Sequence, residues 1–221
     1  MSLIPGCAAR HPQTLCSFMP ILKRKNRNVS DEKLMERIQH QDTSAFNELY
    51  ERYSQRLLLY FYRALGGDED KAQDFLQDVF LKIVEKPGLF HVQRKFSPWI
   101  FTVAHNLCKN EYRRLQNKKA VENNPDINPV SQSLQSANPY PEHDVDQKDF
   151  KNALFQELSK FDENHRSAFL LRYQQNLCVE EISEILNCPE GTVKSRLYYT
   201  TKRLAARLKA FNPNSTQVKR K

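Results

Sequence analysis

Two helical patterns follow each other in the stretch Leu177–Leu208 of this 221-residue chain, LCVEEISEILNCPEGTVKSRLYYTTKRLAARL. Apolar residues recur at helical spacing, stop at Asn187-Cys188-Pro189, and then resume at the same spacing. This pattern predicts two helices that meet at a tight corner. Pro189 suits the first position of the second helix, where a missing N–H is tolerated.

The second helix has an apolar face and a basic face. Six Lys or Arg residues stand against one Glu between positions 188 and 209, which gives a net charge of +5. A helix-turn-helix has this pattern, because its second helix inserts polar side chains into the major groove. An ordinary helical hairpin with a solvated basic face has it as well. The polar face carries Thr192, Ser195, Arg196, Tyr199, Lys202 and Arg203.

The composition favours a polyanionic partner. The chain has a formal net charge of +8 and a pI near 9.2. Its five cysteines are odd in number and form no C-x-x-C motif, so we expect free thiols in the cytoplasm rather than disulfides or structural zinc. No stretch approaches the roughly 20 apolar residues that span a bilayer, so membrane insertion is not expected.

The N-terminal part of the sequence predicts a short leader followed by a helical scaffold. Residues 1–29 contain three prolines and end in a basic run, and we interpret them as a disordered basic leader or as the result of a start codon placed too far upstream. Ser30 can cap a first helix and Asp42 a second one. The Gly66-Gly67 pair ends the second helix.

An acidic helix follows over Lys71–Lys86. It has a continuous apolar stripe, yet Leu81 points away from that stripe among acidic residues. Residues 68–86 carry six acids and three lysines, a net charge of −3 in a basic chain. A protein partner is one interpretation of this face. A solvated face with one exposed leucine is the other.

The next helix is basic. Ser97-Pro98 predicts a cap followed by proline at the first helical position. Residues 90–115 carry five Lys or Arg and one Glu, a net charge of +4. Phe90, Phe96 and Trp99 surround a loop beside this basic face, as expected where unstacked bases are held against aromatic rings. Packing in the core is the alternative for Trp99.

Three motifs together resemble bacterial sigma factors of the extracytoplasmic-function group: Asp70–Lys82 (DKAQDFLQDVFLK), Phe96–Asn106 (FSPWIFTVAHN) with Arg113-Arg114, and Pro189–Leu197 (PEGTVKSRL). They occur in the order of that family on one chain. The resemblance implies an all-α protein with two small helical domains joined by a flexible linker, the second with a helix-turn-helix. It also implies binding to core RNA polymerase and to duplex and single-stranded promoter DNA, and an anti-sigma factor as a further partner.

The resemblance assigns roles to individual residues. The polymerase-binding residues would be Asp70, Asp74, Gln77, Asp78 and Leu81. The residues that contact and open the −10 element would be Phe90, Phe96, Trp99, Thr102, His105, Asn106, Lys109, Asn110, Arg113 and Arg114. The residues that read the −35 element would be Glu190, Thr192, Lys194, Ser195, Arg196, Tyr199, Lys202 and Arg203. The chain departs from common family residues at His105, Asn110 and Tyr199, which bears on promoter sequence more than on fold.

The predicted domain boundaries follow from these motifs. Residues 30–115 form the N-terminal domain, and residues 148–210 form the C-terminal domain. Residues 116–147 form a flexible acidic linker, rich in Asn, Ser, Gln and Pro, with a net charge of −3. Residues 211–221 form a disordered basic tail.

Two other function classes are consistent with parts of the sequence. A promoter-specific activator would use only the helix-turn-helix, but it has no need of strand-opening aromatic residues. An enzyme would need a phosphate-binding glycine loop, an H-E-x-x-H sequence or a nucleophile motif, and the sequence contains none of these. We therefore expect a transcription initiation factor that is not an enzyme and needs no cofactor or metal.

Overall fold

Two helical domains make up the computed structural model, which describes residues 28–122 and 145–211. The helices of the N-terminal domain are α1 (Asp31–Gln39), α2 (Thr43–Ala64), α3 (Glu69–Glu85) and α4 (Phe96–Glu122). The helices of the C-terminal domain are α5 (Val145–Ser159), α6 (Glu163–Phe169), α7 (Val179–Leu186) and α8 (Glu190–Arg207). Short 3₁₀ turns lie at Pro87–Leu89 and Lys209–Phe211, and a π-helical turn lies at Leu170–Gln174. The predicted all-α fold class is confirmed.

Local capping signals place several helix starts where the sequence predicts them. The Ser30 hydroxyl accepts the Lys33 N–H at 3.4 Å, and an Asp42 carboxylate oxygen accepts the Ser44 N–H at 2.9 Å. Asp162 caps α6 in the same way. Each cap satisfies a backbone donor that has no acceptor within its own helix.

The start of α4 differs from its prediction. We expected Ser97 as the cap with Pro98 at the first helical position, but α4 begins at Phe96. The Phe96 N–H donates to a Glu32 carboxylate oxygen at 3.0 Å, so a side chain of α1 caps this helix. Pro98 is tolerated within the first turn because N–H groups there have no intrahelical acceptor.

The linker and tail predictions also need correction at their edges. Residues 116–122 extend α4, since neither glycine nor proline occurs between Pro98 and Pro125. Residues 145–147 belong to α5, and Phe211 lies in a 3₁₀ turn with its ring centroid 5.7 Å from that of Phe150. The rest of the predicted leader, linker and tail, residues 1–27, 123–144 and 212–221, lies outside the described residues.

The helix-turn-helix forms as predicted, with one difference at the corner. Asn187 ends α7 in the left-handed region at φ 47°, a conformation that asparagine adopts more readily than most residues. Pro189 is the cap residue of α8, not its first helical residue, because its backbone is extended. Val193 and Leu204 are buried beneath α8, while Leu197 and Leu208 are half-buried.

The two domains pack against each other through α4 and α7 and through the C-terminal half of α2. Hydrogen bonds across this junction come mainly from arginine side chains. Arg56 Nε donates to Gln175 at 3.1 Å, and Arg63 donates to Gln174 at 2.9 Å. Arg166 donates to the Ala64 carbonyl oxygen at 2.7 Å. The junction is therefore rich in polar contacts.

His105 lies inside this junction. Its side chain is only 3% exposed, although the family resemblance assigned it to the residues that would contact the −10 element. Helical spacing within α4 could not show that the C-terminal domain covers this position. Burial lowers the pKa of His105 from 6.5 to about 4, and the nearby cations Lys109 and Arg196 contribute to the shift.

We predict that Glu32→Ala destabilises the protein by about 1 kcal/mol, since α4 loses the acceptor at its start. Glu32→Gln should cost less, because its amide oxygen can still accept the Phe96 N–H. Urea unfolding followed by circular dichroism measures both effects. Glu36→Ala, at an exposed position of the same helix, serves as the control. An equal loss in Glu36→Ala would contradict the capping role.

We predict that His105 makes the protein less stable as the pH falls from about 6.5 towards 4. The unfolded chain takes up a proton near pH 6.5, whereas folded His105 stays neutral until about pH 4. The free energy of unfolding is therefore highest above pH 6.5, and it falls by about 1 kcal/mol by pH 5.5. Urea unfolding at pH 6.5 and at pH 5.5 should show a smaller loss of stability for His105→Gln than for the parent chain. His91→Gln, at an exposed histidine, should behave like the parent chain.

Candidate nucleic-acid and protein interfaces

The acidic face of α3 is exposed along its whole length. We use this name for the five predicted polymerase-binding residues, and all five side chains are exposed: Asp70, Asp74, Gln77, Asp78 and Leu81. Leu81 is 54% exposed on the opposite side of α3 from the buried Val79, Phe80 and Ile83. The arrangement offers an apolar contact surrounded by carboxylates, which suits a partner with basic and apolar side chains.

Sequence reasoning missed two neighbours of Leu81. Val84 and Leu89 are more than half exposed as well. Val84 stands three residues after Leu81, so it shares the same side of the helix. That spacing was visible in the sequence, but Leu89 belongs to the 3₁₀ turn after α3 and could not be placed from it.

The predicted aromatic residues divide into core and surface. Phe90 and Phe96 are 1% and 0% exposed, so the expectation that their rings are open beside the basic face is wrong. They fill the core instead: the Phe96 ring packs edge-on against Tyr53, with centroids 5.0 Å apart. Trp99 is half-buried and rests on both phenylalanines, with centroid separations of 5.2 and 5.6 Å. The two phenylalanines thus position Trp99.

The rest of the predicted −10 set lies along α4. Thr102 is half-buried, and its hydroxyl donates to the Pro98 carbonyl oxygen at 2.8 Å. Arg114 forms a bidentate ion pair with Glu111 at 2.7 and 2.8 Å. Glu111 also pairs with the Lys71 ammonium at 3.4 Å. The charge of Arg114 is therefore partly neutralised. The exposed members of the set are Asn106, Lys109, Asn110, Arg113 and Arg114.

The outer face of α8 displays the predicted −35 residues. Thr192 and Arg196 are half-buried, and the other six are exposed: Glu190, Lys194, Ser195, Tyr199, Lys202 and Arg203. Lys194 pairs with Glu190 at 3.0 Å, one turn before it on the helix. Arg196 donates to the Cys188 sulfur at 3.4 Å, which orients it towards the corner of the motif. The Arg203 guanidinium lies over the Phe161 ring at 4.6 Å.

Three further residues belong to these surfaces although sequence reasoning did not single them out. Arg94 and Lys95 lie just before α4 and share a cavity with Trp99. Tyr198 is exposed beside Tyr199, with ring centroids 5.4 Å apart. The charge count around Trp99 included both cations, but only the fold places them next to its ring.

Neither a metal-binding cluster nor a membrane-spanning helix occurs among the described residues. Within residues 28–122 and 145–211, no group of three or more His, Cys, Asp or Glu side chains could hold a metal ion. In the same part of the chain, no helix combines the length and the apolar character needed to cross a membrane.

Comparison with protein-family models identifies both domains. The model for sigma-70 region 2 matches residues 49–118, which include α3 and most of α4. The model for sigma-70 region 4 matches residues 151–204, which include α7 and most of α8. The two matches therefore contain the acidic face, the polar side of α4 and the outer face of α8.

Curated relatives match across both domains. The ECF RNA polymerase sigma-E factor of Haemophilus influenzae is 28% identical over 174 residues, which cover 77% of this chain and 90% of that protein. The ECF RNA polymerase sigma factor SigW of Bacillus subtilis is 29% identical over 173 residues, which cover 75% and 90%. BldN of Streptomyces coelicolor is 30% identical over 176 residues, which cover 78% and 64%.

Solved structures share the fold. CnrH in complex with the cytosolic domain of CnrY has a TM-score of 0.60 at 20% sequence identity, and the match covers 81% of this chain and 97% of the CnrH chain. RpoE of Bartonella quintana, in complex with the anti-sigma factor NepR, has a TM-score of 0.59 at 22% identity and covers 74% and 96%. The two region models and the curated relatives show that the chain belongs to the extracytoplasmic-function group of sigma factors.

Proposed function

We propose that this chain binds core RNA polymerase in the cytoplasm and directs promoter-specific initiation of transcription, without covalent chemistry of its own. One observation carries the assignment of surfaces: the chain separates charge onto different helices. The exposed side of α3 is acidic and apolar, whereas the exposed sides of α4 and α8 are basic. A protein partner suits the first surface, and the phosphate backbone suits the other two.

The acidic face of α3 is the polymerase-binding surface in this proposal. Leu81 and Val84 present apolar area to solvent in a helix whose other side already packs in the core. Burying them against a partner would recover hydrophobic free energy. The flanking carboxylates Asp74 and Asp78 would steer a basic partner and disfavour nucleic acid.

The polar side of α4 is the −10 surface. Trp99 is half-buried, and an unstacked base can stack on the exposed part of its ring; base–aromatic stacking contributes about 1–3 kcal/mol. Lys109 and Arg113 can contact phosphates, and Asn106 and Asn110 can form hydrogen bonds with base edges. Phe90 and Phe96 support Trp99 from the core and are not assigned a direct contact.

The outer face of α8 is the −35 surface. A recognition helix contacts base edges through residues near its N-terminus, which here are Glu190, Thr192, Lys194 and Ser195. Lys202 and Arg203 lie two turns further along and suit the phosphate backbone. Residues 123–144 between the domains span at most about 75 Å when extended. Promoter elements one to two DNA turns apart, roughly 34–70 Å, are within that reach.

An anti-sigma factor is the further partner in this proposal. The structural neighbour RpoE was solved in complex with one. In this chain an apolar cavity of about 540 Å³ lies between α5, α6 and α8, and Tyr173 and Phe150 at its rim are exposed. Such a cavity suits the apolar side of an amphipathic helix.

Initiation with purified core enzyme tests the proposed function. We predict that the parent chain starts transcripts from a genomic promoter library and that Leu81→Asp does not. An aspartate at this position cannot be buried without a large cost in free energy. A pull-down with core enzyme should show the same loss. Leu115→Asp, at an exposed leucine of α4, should bind core enzyme like the parent chain. Unchanged binding by Leu81→Asp would contradict the assignment of α3.

Lys202 tests the duplex contact of α8. We predict that Lys202→Ala weakens binding to duplex DNA about equally for all sequences and lowers the slope of log affinity against log salt by about 1. Fluorescence anisotropy across a salt series measures the slope. Lys33→Ala removes an exposed charge from α1 and should leave the slope unchanged. A sequence-dependent loss would indicate that Lys202 reads bases instead.

A further inference from the structure

The loop that connects α3 to α4 carries part of the proposed −10 surface. We call residues 86–95 the α3–α4 loop; its sequence contains three Lys or Arg residues and no acid. It begins with a 3₁₀ turn and ends with a turn in which the Arg94 N–H donates to the His91 carbonyl oxygen at 2.9 Å. Arg94 and Lys95 are exposed at its end, beside Trp99. The position of this loop therefore decides where two cations face a DNA strand.

Two side chains of α1 hold this loop at its two ends. Gln39 Nε2 donates to the carbonyl oxygens of Pro87 and Phe90, each at 3.2 Å. Glu32 accepts the N–H of Phe96, the residue that follows the loop, at 3.0 Å. Gln39 stands seven residues after Glu32, so the two side chains lie on the same side of α1, about two turns apart. One side of α1 thus fixes both ends of the loop.

The contact of Gln39 with Phe90 leads directly to Trp99. The Phe90 side chain is 1% exposed, and its ring centroid lies 5.2 Å from that of Trp99 and 5.5 Å from that of Phe96. A buried ring that packs against two others cannot follow a shift of its backbone without disturbing them. A displacement of the Phe90 carbonyl group therefore changes the surface on which Trp99 rests.

Helix α1 closes its own end through its backbone. The His40 N–H donates to the Arg37 carbonyl oxygen at 3.0 Å, and Gln39 is an exposed residue in the last turn. The Gln39 amide instead serves two acceptors that stand 48 and 51 residues later in the chain. An amide nitrogen carries two hydrogens, so it can donate to both carbonyl oxygens, whereas a carboxylate or an apolar side chain cannot donate at all.

We propose that Gln39 is a positioning residue for the opening of the −10 element. Through Phe90 it holds Trp99 in place, and through Pro87 it holds the loop that presents two cations to the strand. Gln39 itself contacts neither a base nor a phosphate in this proposal. The inference rests on the proposed function of the polar side of α4, because the groups that Gln39 positions are those that stack on a base and contact phosphates.

Substitution of Gln39 separates its hydrogen bonds from the volume of its side chain. Gln39→Met keeps the length but removes both donors, whereas Gln39→Lys keeps an amine that can donate to the same carbonyl oxygens. Gln55→Met and Gln55→Lys, at an exposed glutamine of α2, are the matched controls and change the net charge in the same way. Because Gln39 and Gln55 are exposed, we expect all four variants to fold, and urea unfolding of each variant checks this.

Strand opening is measured with core enzyme and a promoter taken from the genomic library. The reactivity of unpaired thymines with permanganate gives the opening rate at increasing concentrations of the complex of this chain with core enzyme. We expect Gln39→Met to lower the limiting opening rate at least about threefold relative to Gln55→Met, because Trp99 and the loop cations are then misplaced when the strands separate. The concentration that gives half of the limiting rate should stay within about twofold, because it reports binding to the closed duplex.

Two further readouts separate positioning from a general loss of structure. A chain that merely folded less completely would raise the half-maximal concentration and leave the limiting rate unchanged. Gln39→Lys should open the promoter at the rate of Gln55→Lys. Trp99 is the only tryptophan of the chain, so the emission of the free chain reports on its packing, and Gln39→Met should change this emission while Gln55→Met does not.

Equal limiting rates for Gln39→Met and Gln55→Met would overturn the inference, as would a change confined to the half-maximal concentration or an unchanged Trp99 emission in Gln39→Met. A rate for Gln39→Lys as low as that for Gln39→Met would contradict the role of the donated hydrogen bonds. Opening by the parent chain separates these results from a failure of the proposed function. If the parent chain opens the promoter and Gln39→Met opens it equally fast, the positioning role is wrong and the function stands. If the parent chain does not initiate with core enzyme, the proposed function is wrong.

Discussion

Arginine and glutamine side chains form most of the hydrogen bonds that join the two domains, and the relative position of the domains depends on them. Arg56 and Arg63 of α2 bond to Gln175 and Gln174, and Arg166 bonds to the end of α2 at Ala64. Such bonds replace bonds to water, so each contributes only about 0.5–1.5 kcal/mol net. A junction of this kind specifies one relative position of the domains without fixing it as firmly as an apolar core would.

Each domain has apolar residues of its own to hold it together. In the N-terminal domain, α1 to α4 enclose a core of aromatic and aliphatic side chains, with Tyr60, Phe61 and Phe101 completely buried. In the C-terminal domain, Leu170, Ile182 and Val193 are completely buried. Because hydrophobic stabilisation scales with the apolar area removed from water, these residues contribute most of the stabilisation within each domain. The hydrogen bonds of the junction act in addition to these apolar contacts.

The sequence predicts this fold best where a helix and its signal are close together. Ser30 and Asp42 cap helices through backbone groups two or three residues away, and both were recognisable in the sequence. The start of α4 was not, since its cap is Glu32, which stands 64 residues before Phe96. The end of α4 was missed because a polar composition suggested a linker, although neither glycine nor proline occurs between Pro98 and Pro125.

The same limit applies to the candidate interfaces. Helical spacing alone predicts that the acidic face of α3 is exposed, so the exposure of all five of its residues could be predicted from the sequence. It could not show which of Phe90, Phe96 and Trp99 fills the core, because that depends on Tyr53 of α2. Nor could it show that His105 is covered, because the covering groups belong to another domain. Contacts between distant segments decide these positions.

The three glutamates Glu180, Glu181 and Glu184 of α7 differ in whether the helix itself stabilises their charge. Glu180 and Glu181 stand in the first turn of the helix, where the helix dipole and the Cys178 N–H favour a negative charge. Local helix stability is therefore sufficient to explain both. Glu184 stands in the last turn, where the same dipole disfavours a negative charge. Glu184 is exposed to solvent and lines the cavity opposite Arg94, Lys95 and Trp99, so the fold places cations of the other domain on the side of α7 where the helix itself disfavours the charge.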